Sequence, residues 1–418
     1  MAIEQTSESS RRAEILQTAE RLIATSGLRV SLQEIAGAAG ILTGSLYHHF
    51  ASRDDLLLEL VRRYHADLDR IGEQALHRLD AHDDVGLEQK VIELGVGIAE
   101  CAVRNRAALQ MSFYEAPTSS TELTDMLRHP PSAVQDAMVQ TLRAGRWSGY
   151  IRPELELAPV ADRMCQSMLH VGLDVIRRDA DPAQVATVLS HIMLGGIAAD
   201  APADADLDGS AALAAADDAI ATWGREADDT GGTKADHVRR AARTVFGRKG
   251  FETSTIRDIA AEADLNPATV HRLIGSKDVL LAAIMQDFGQ KTVKASVAVM
   301  QSQASAAERL DALSWIFVNA VDRFPAEWRI QLAWMRQAPP DSPNPGFAFA
   351  SRMEHLEGLL AAGARAGQLR LGRAPLDVLS RCVMDVLWVP GNIIAWIGPA
   401  AARTLARDTV LRGVARPE

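Results

Sequence analysis

The sequence predicts an all-α fold built as two similar helical modules. Aromatic residues are only 5% of the chain, Ala and Leu abound, and β-branched runs are rare, which favours helices over strands. Apolar residues recur at three- and four-residue spacing through most of the chain. One pattern of domain size, roughly 55 residues long, occurs twice, too long a period for a solenoid repeat. At 418 residues, 47% of them hydrophobic, the chain can bury several cores rather than one.

Residues 9–26 form an amphipathic helix with Ile15, Leu16, Ala19, Leu22 and Ile23 on one face. Two short helices joined by a tight turn follow between Ser31 and Phe50. Ser31 is placed to cap the first, and Ile35 and Ala36 give it a small apolar face. Gly40 supplies the left-handed turn, and Ile41 and Leu46 pack back toward the first helix. Thr43, Ser45, Tyr47 and His48 then fall on the outer side of the second. An apolar inner side and small polar outer residues fit a helix-turn-helix, whose second helix enters the DNA major groove.

Ser52 caps a long helix opened by Leu56, Leu57 and Leu60 and running to about residue 75. Helices are expected from 85 past 101, from 107 to 114, and from Ser132 to about 146, with interruptions at Pro117 and Pro130-Pro131. After a loop at 149–153 come two strongly apolar helices. The first carries Val160, Met164, Met168, Val171 and Val175; the second starts at Asp181-Pro182 and carries Val185, Leu189 and Ile192. Segments 200–208 and 227–232 are rich in Asp, Ala and Gly and read as flexible, with a helix at 211–223 between them.

The second half repeats this plan. Val238, Ala242, Val245 and Phe246 mark its opening helix, and Ser254–Ile274 repeats the helix-turn-helix. Ile35 maps to Ile259 (259 − 35 = 224) and Ser52 to Ser276 (276 − 52 = 224), whereas Gly27 maps to Gly250 (250 − 27 = 223), so the first copy lacks one residue between helices. Asp264 takes the turn position of Gly40, which Asp tolerates. Further helices are expected at 279–300, 306–323, 326–337 and 347–366, then one at 375–397 kinked at Pro390-Gly391, then a last short one after Pro399. Gly367–Arg370 echoes Gly149–Arg152. The implied divisions are 9–55, 56–199, a linker 200–232, 233–279 and 280–414.

At these residues the chain resembles the TetR family of bacterial transcription regulators. The resemblance rests on an opening helix, Ile35-Ala36 followed by Ala39, a reading helix ending Leu46-Tyr47-His48-His49-Phe50, and a serine-basic-Asp step before a leucine-rich helix. That step is Ser52-Arg53-Asp54 in the first copy and Ser276-Lys277-Asp278 in the second. The second copy departs with His271 for the usual tyrosine and Ile274 for the usual phenylalanine. The resemblance implies that Thr43, Gly44, Ser45 and His48 face bases and that Tyr47 and Arg53 face phosphates. In the second copy it implies Pro267, Thr269 and Arg272 at bases and His271 and Lys277 at phosphates. Ser31 and Thr255, which open each motif, join the DNA-facing set. Arg272 can grip guanine with two bonds, which nothing in the first reading helix can do.

The same resemblance implies a repressor released by a small-molecule effector, with double-stranded operator DNA as its partner. Met111, Phe113, Tyr114, Met164 and Met168 in the first half, and Trp315, Trp334, Met335, Met384 and Trp388 in the second, suit an adaptable apolar pocket. Family members form homodimers through their last two long helices. Two modules in one chain therefore imply an intrachain pseudo-dimer, with a homodimer of chains as the alternative. A competing reading is a DNA-free interaction or ligand-sequestering protein on the same scaffold.

The net charge of −10 argues against broad non-specific DNA binding, yet the acid is concentrated at 200–208 and 226–229 and leaves room for small basic faces. Cys101, Cys165 and Cys382 each sit in an apolar helical pattern and read as buried thiols. His48 and His49 are adjacent, so they diverge on a helix, and no metal or cofactor is expected. Phosphate-loop, nucleophile-elbow and metalloprotease signatures are absent, so no enzyme is expected. A start without an apolar core and the lack of a membrane span imply a cytoplasmic protein with no membrane partner.

Overall fold

The computed structural model describes residues 2–28, 30–80, 85–112, 120–170, 180–228, 233–251, 253–337 and 349–416. Helices carry the first half: α1 Ala2–Ser26, α2 Leu32–Ala38, α3 Thr43–His49, α4 Arg53–Asp80, α5 Leu87–Arg104, α6 Arg106–Met111, α7 Thr121–Arg128, α8 Ala133–Trp147, α9 Leu157–His170 and α10 Pro182–Gly195. Between the halves lie α11 Asp204–Asp208 and α12 Ala211–Asp228. The second half has α13 Lys234–Lys249, α14 Ile256–Glu262, α15 Pro267–Ile274, α16 Lys277–Gln301, α17 Ala306–Arg323, α18 Pro325–Gln337, α19 Phe349–Arg365, α20 Leu376–Leu387, α21 Gly391–Ile397 and α22 Pro399–Ala406, closed by a π-helical turn Arg407–Arg412. Among the described residues there is no strand, only two isolated bridges, so the fold is all-α as expected.

Each half begins with a three-helix cluster. α1 packs on α2, and α13 on α14 and α15, through Ile15, Leu16 and Ile23 in one copy and Val238, Val245 and Phe246 in the other, all essentially without exposure. A long helix then leads into a bundle: α4 against α5 and α8 in the first half, α16 against α17 in the second. The expected long helix at 375–397 is broken rather than kinked: α20 ends at Leu387, and the axis turns by 74° before the next helical stretch. Pro390 has no N–H for a continuing helix, and Val389 before it is pushed out of the helical region. Among the described residues no single helix is long and apolar enough to cross a membrane.

The two halves pack on each other reciprocally. α9 and α10 of the first half meet α20 and α21 of the second. The turn at 149–152 pairs with the chain end, Ile151 bridging Ala415, while the matching turn at 367–370 pairs with the tail after α10, Ala198 bridging Leu369. Main-chain bonds seal both seams, Arg416 N to Tyr150 O at 2.8 Å and Arg370 N to Ile197 O at 2.8 Å. Gly196 and Gly413 lie back to back between the seams, at φ 68° and 78°. A Cβ on Gly196 would fall 2.6 Å from Gly413 N, and one on Gly413 would fall 2.6 Å from Gly196 N. The within-chain pairing therefore needs glycine at both places.

Residues 204–208, read as flexible from their composition, form α11, while 229–232 lie outside the described residues. Asp204 and Asp208 of α11 bind Arg407 at 2.8 and 2.7 Å, and Arg407 also binds Asp311 of α17 at 2.8 Å. Arg412 adds a bond to Asp204 at 2.6 Å. Burial works against the charge on Arg407, but its bonds to Asp311 and Asp208 outweigh burial and raise its pKa. α12, where a helix was expected, packs on α16 and α17 with Trp223 buried against Phe324, ring centres 5.6 Å apart. Composition registers the acid but not the arginines some 200 residues away that neutralise it. The three cysteines are buried and none is in a disulfide, as their apolar surroundings suggest.

Candidate nucleic-acid interface and effector cavity

Local chemistry builds both helix-turn-helices. Ser31 Oγ accepts from Glu34 N at 3.3 Å while Glu34 Oε2 accepts from Ser31 N at 2.7 Å, a reciprocal capping box. Thr255 and Asp258 make the same pair at 3.1 and 2.8 Å. Ser31 and Thr255, expected among the DNA-facing residues, are exposed and use these hydroxyls to cap α2 and α14. The turns follow with Gly40 at φ 65° and Asp264 at φ 50°. Leu46 and Val270 are fully buried and seat α3 and α15 on their domains.

That seating leaves a reading face outward in each copy. Gly44, Ser45, Tyr47 and His48 are exposed and Thr43 half-buried at its edge; in the second copy Pro267, His271 and Arg272 are exposed and Thr269 is half-buried. A Cβ on Gly44 would meet nothing within 4 Å, so no packing inside the protein calls for glycine there. Arg272 bonds to no other described residue and projects a free guanidinium. One residue escaped the sequence reading. Leu42, just before α3, is 82% exposed and makes no side-chain cap. Its signal was an apolar residue at a position where Ser, Thr, Asn or Asp is preferred, and Asn266 in the second copy does cap, accepting from Ala268 N at 2.9 Å.

Two residues expected at phosphates bond main-chain carbonyls of their own domains. Arg53 sends Nε to Val30 O at 3.2 Å and Nη2 to Leu28 O. Lys277 sends Nζ to Phe251 O at 2.7 Å and Ser254 O at 3.0 Å, lying 4.2 Å over the Phe251 ring. Both are half-buried pins that tie the start of a long helix to the loop before the helix-turn-helix. The carbonyls they satisfy lie 23 to 26 residues away, beyond the reach of a local motif.

The reading domains join the bundles through buried carboxylates. In the first half Glu20 of α1 accepts from Ala107 N, at the start of α6, at 2.6 Å. Burial pushes its carboxyl from 4.5 up to about 7, against the pull of that bond and of Arg106. In the second half Arg243 of α13 meets Glu327 of α18 at 2.5 Å, and burial raises the Glu327 carboxyl despite Arg243.

A cavity of about 320 Å³ lies between α16, α17, α19 and α20. Of the expected pocket residues, Met384 lines it. Trp388 instead stacks between Trp328 and His170, ring centres 5.5 and 4.9 Å away. Trp315 lies outside it, its indole N–H bonded to Asp217 Oδ1 at 2.7 Å, with Arg403 over its ring. Met111, Met164 and Met168 are packed core, at most 1% exposed. Phe113 and Tyr114 lie outside the described residues, as do the side chains of Trp334 and Met335. Sequence alone does not separate core methionine from pocket methionine, because both obey the same helical spacing.

Two exposed helices on capped, three-helix domains define two helix-turn-helix domains in one chain. The DNA-binding domain of "Bacterial regulatory proteins, tetR family" matches residues 15–60 and again 238–284. The chain therefore carries this family's DNA-binding domain twice. It is 50% identical over 56 residues to the HTH-type transcriptional repressor KstR2 of Mycobacterium tuberculosis (strain ATCC 25618 / H37Rv), covering 13% of this chain and 28% of that protein. The chain thus spans less than a third of the length of that relative. Against the HTH-type transcriptional regulator EthR of Mycolicibacterium smegmatis it is 26% identical over 191 residues, 45% of this chain and 86% of that one. The solved structure of KstR2 from Mycobacterium tuberculosis matches with 25% identity and a TM-score of 0.36, covering 42% of this chain and 89% of that one.

Proposed function

We propose that the chain is a transcriptional repressor that holds two unlike DNA readers in one intrachain pair and leaves its operator when a small effector binds. The modules are 9–55 with 56–199 and 233–279 with 280–414, joined by 200–232. The observation that carries this reading is Gly44, a glycine in the reading helix with only open space before it. Glycine costs a helix about 0.5–1 kcal/mol relative to alanine, and close approach of a nucleic-acid backbone accounts for keeping it.

Bases are read by Thr43, Gly44, Ser45 and His48 with Tyr47 on phosphate, and by Pro267, Thr269 and Arg272 with His271 on phosphate. The heads differ, so the preferred site has two unlike half-sites about one helical turn apart rather than a palindrome. The effector acts by its difference in affinity between two arrangements of the reading domains. Support for such coupling is contact: Phe317 of the cavity stacks on Trp328, ring centres 6.2 Å apart, and the neighbouring Glu327 holds Arg243 of the second reading domain. The place of action is the cytoplasm, where the DNA is.

The test joins a footprint on DNA neighbouring the gene with light scattering. A single 45.1 kDa chain protecting an asymmetric site is the expected result. Arg272→Ala then costs about 1–3 kcal/mol of affinity and relaxes preference at one base pair. Absence of any salt-dependent binding overturns the regulator reading, and a dimer of chains on a symmetric site overturns the intrachain pair.

A further inference from the structure

The two reading domains are electrostatically unequal. Residues 9–55 hold five Lys and Arg against five Asp and Glu, whereas 233–279 hold nine against six. The inequality grows once partners are considered. In the first domain each described cation is already engaged. Arg11 pairs with Glu14 at 2.7 Å, and Arg12 lies over the Phe50 ring with Nη2 3.5 Å from Glu59 Oε2. Arg21 donates to Thr18 Oγ1 at 3.4 Å, and Arg53 is bonded to main-chain carbonyls. In the second domain, Arg257 of α14 and Arg272 of α15 are exposed and bond to no other described residue. The constant offset puts Gln33 and His48 at their places in the first copy, since 257 − 33 = 224 and 272 − 48 = 224.

Arg257 has no part in the contacts assigned so far. It stands on the first helix of its helix-turn-helix, the one that crosses the DNA backbone while the second enters the major groove. α14 packs against α15, so a duplex seated on α15 also passes α14. A guanidinium with no partner inside the protein keeps its donors for an outside group, and its planar fork matches a phosphate. We propose that Arg257 binds a phosphate of the DNA backbone, and that the second half-site thereby supplies the larger share of the salt-dependent grip. Each phosphate met by Lys or Arg releases condensed counterions and steepens the salt dependence of binding. The first half-site, met by the uncharged Thr43, Ser45 and Tyr47, adds little to that slope. The inference rests on the two-reader function given above and names a contact residue which that reading leaves unassigned.

Fluorescence anisotropy of the full chain is read on two duplexes of about 30 base pairs, roughly three helical turns. One carries the footprinted site and the other a mixed sequence. Salt varied from about 50 to 200 mM gives the slope of log affinity against log salt. Arg257→Gln places in α14 the side chain that the first copy carries there. The expected result is a slope shallower by about 0.9 on both duplexes, the value for one phosphate contact. Gln33→Arg makes the reverse exchange in α2 and should steepen the slope by about the same amount. Arg240→Gln is the control. Arg240 is also exposed and bonds to no other described residue, but it lines the cleft between α13 and α16, so its loss should leave the slope unchanged. Circular dichroism checks that the variants are folded; should Arg257→Gln unfold, Gln33→Arg still decides. An unchanged slope with either exchange overturns the proposal. An equal loss from Arg240→Gln also overturns it, because the effect would then be one of net charge rather than contact. A parent chain with no salt-dependent binding to either duplex overturns the regulator reading itself, whereas a parent slope that ignores Arg257 overturns this inference alone.

Discussion

Replacing Gly44 by alanine should make the protein more stable and its DNA binding weaker. On the protein side the added methyl meets nothing within 4 Å, and α3 gains the difference in helix propensity, about 0.5–1 kcal/mol. On the DNA side the same methyl enters the gap that the backbone of α3 leaves. An extra methyl in a closely fitted contact costs about 1–3 kcal/mol, which is roughly five- to 150-fold in affinity. Urea unfolding gives the first quantity, and fluorescence anisotropy on an operator fragment at fixed salt gives the second. Gly37 of α2 is the control, since a Cβ there also meets open space but lies off the reading helix. Gly37→Ala should stabilise without weakening binding. If Gly44→Ala stabilises and binds the operator as tightly as the parent, α3 does not approach DNA through this face and the reasoning fails.

The inward pins give a different pattern. Arg53→Ala and Lys277→Ala each strand main-chain carbonyls, so each should destabilise its reading domain by about 1–3 kcal/mol in urea while leaving the salt slope of binding by the folded fraction unchanged. Glu20 makes the first junction pH-dependent. Its folded carboxyl titrates near 7 and its unfolded one near 4.5, so the folded state holds a proton that the unfolded chain has lost between these values. Stability contributed at this junction therefore falls as pH rises through that window, by about 1.4 kcal/mol per unit, and Glu20→Gln should flatten the dependence in unfolding at pH 5, 6, 7 and 8. Gly196→Ala and Gly413→Ala each force a Cβ into opposing backbone and should cost more than about 3 kcal/mol, with exposure of the α10–α20 seam to amide exchange; parent-like stability would show that the halves do not meet there.

Sequence by itself determined whatever is local. Caps, turns and apolar stripes act within a few residues, so the cap at Ser31, the left-handed Gly40 and Asp264, and the outward face of α3 were legible from spacing. The duplication was legible for the same reason, because equal local patterns recur at a constant offset. Tertiary structure decided what depends on partners distant along the chain. It turned Arg53 and Lys277 inward to carbonyls 23 to 26 residues away, and it tied the acidic linker to Arg407 and Arg412 across some 200 residues. It also filled the space around Met164 and Met168 and left an opening beside Met384, although all three obey the same helical period. A period tells which side of a helix faces inward. Only the assembled neighbours decide whether that inside is full, and for a charged side chain the nearest unsatisfied carbonyl or carboxylate in space, rather than in sequence, sets where it points.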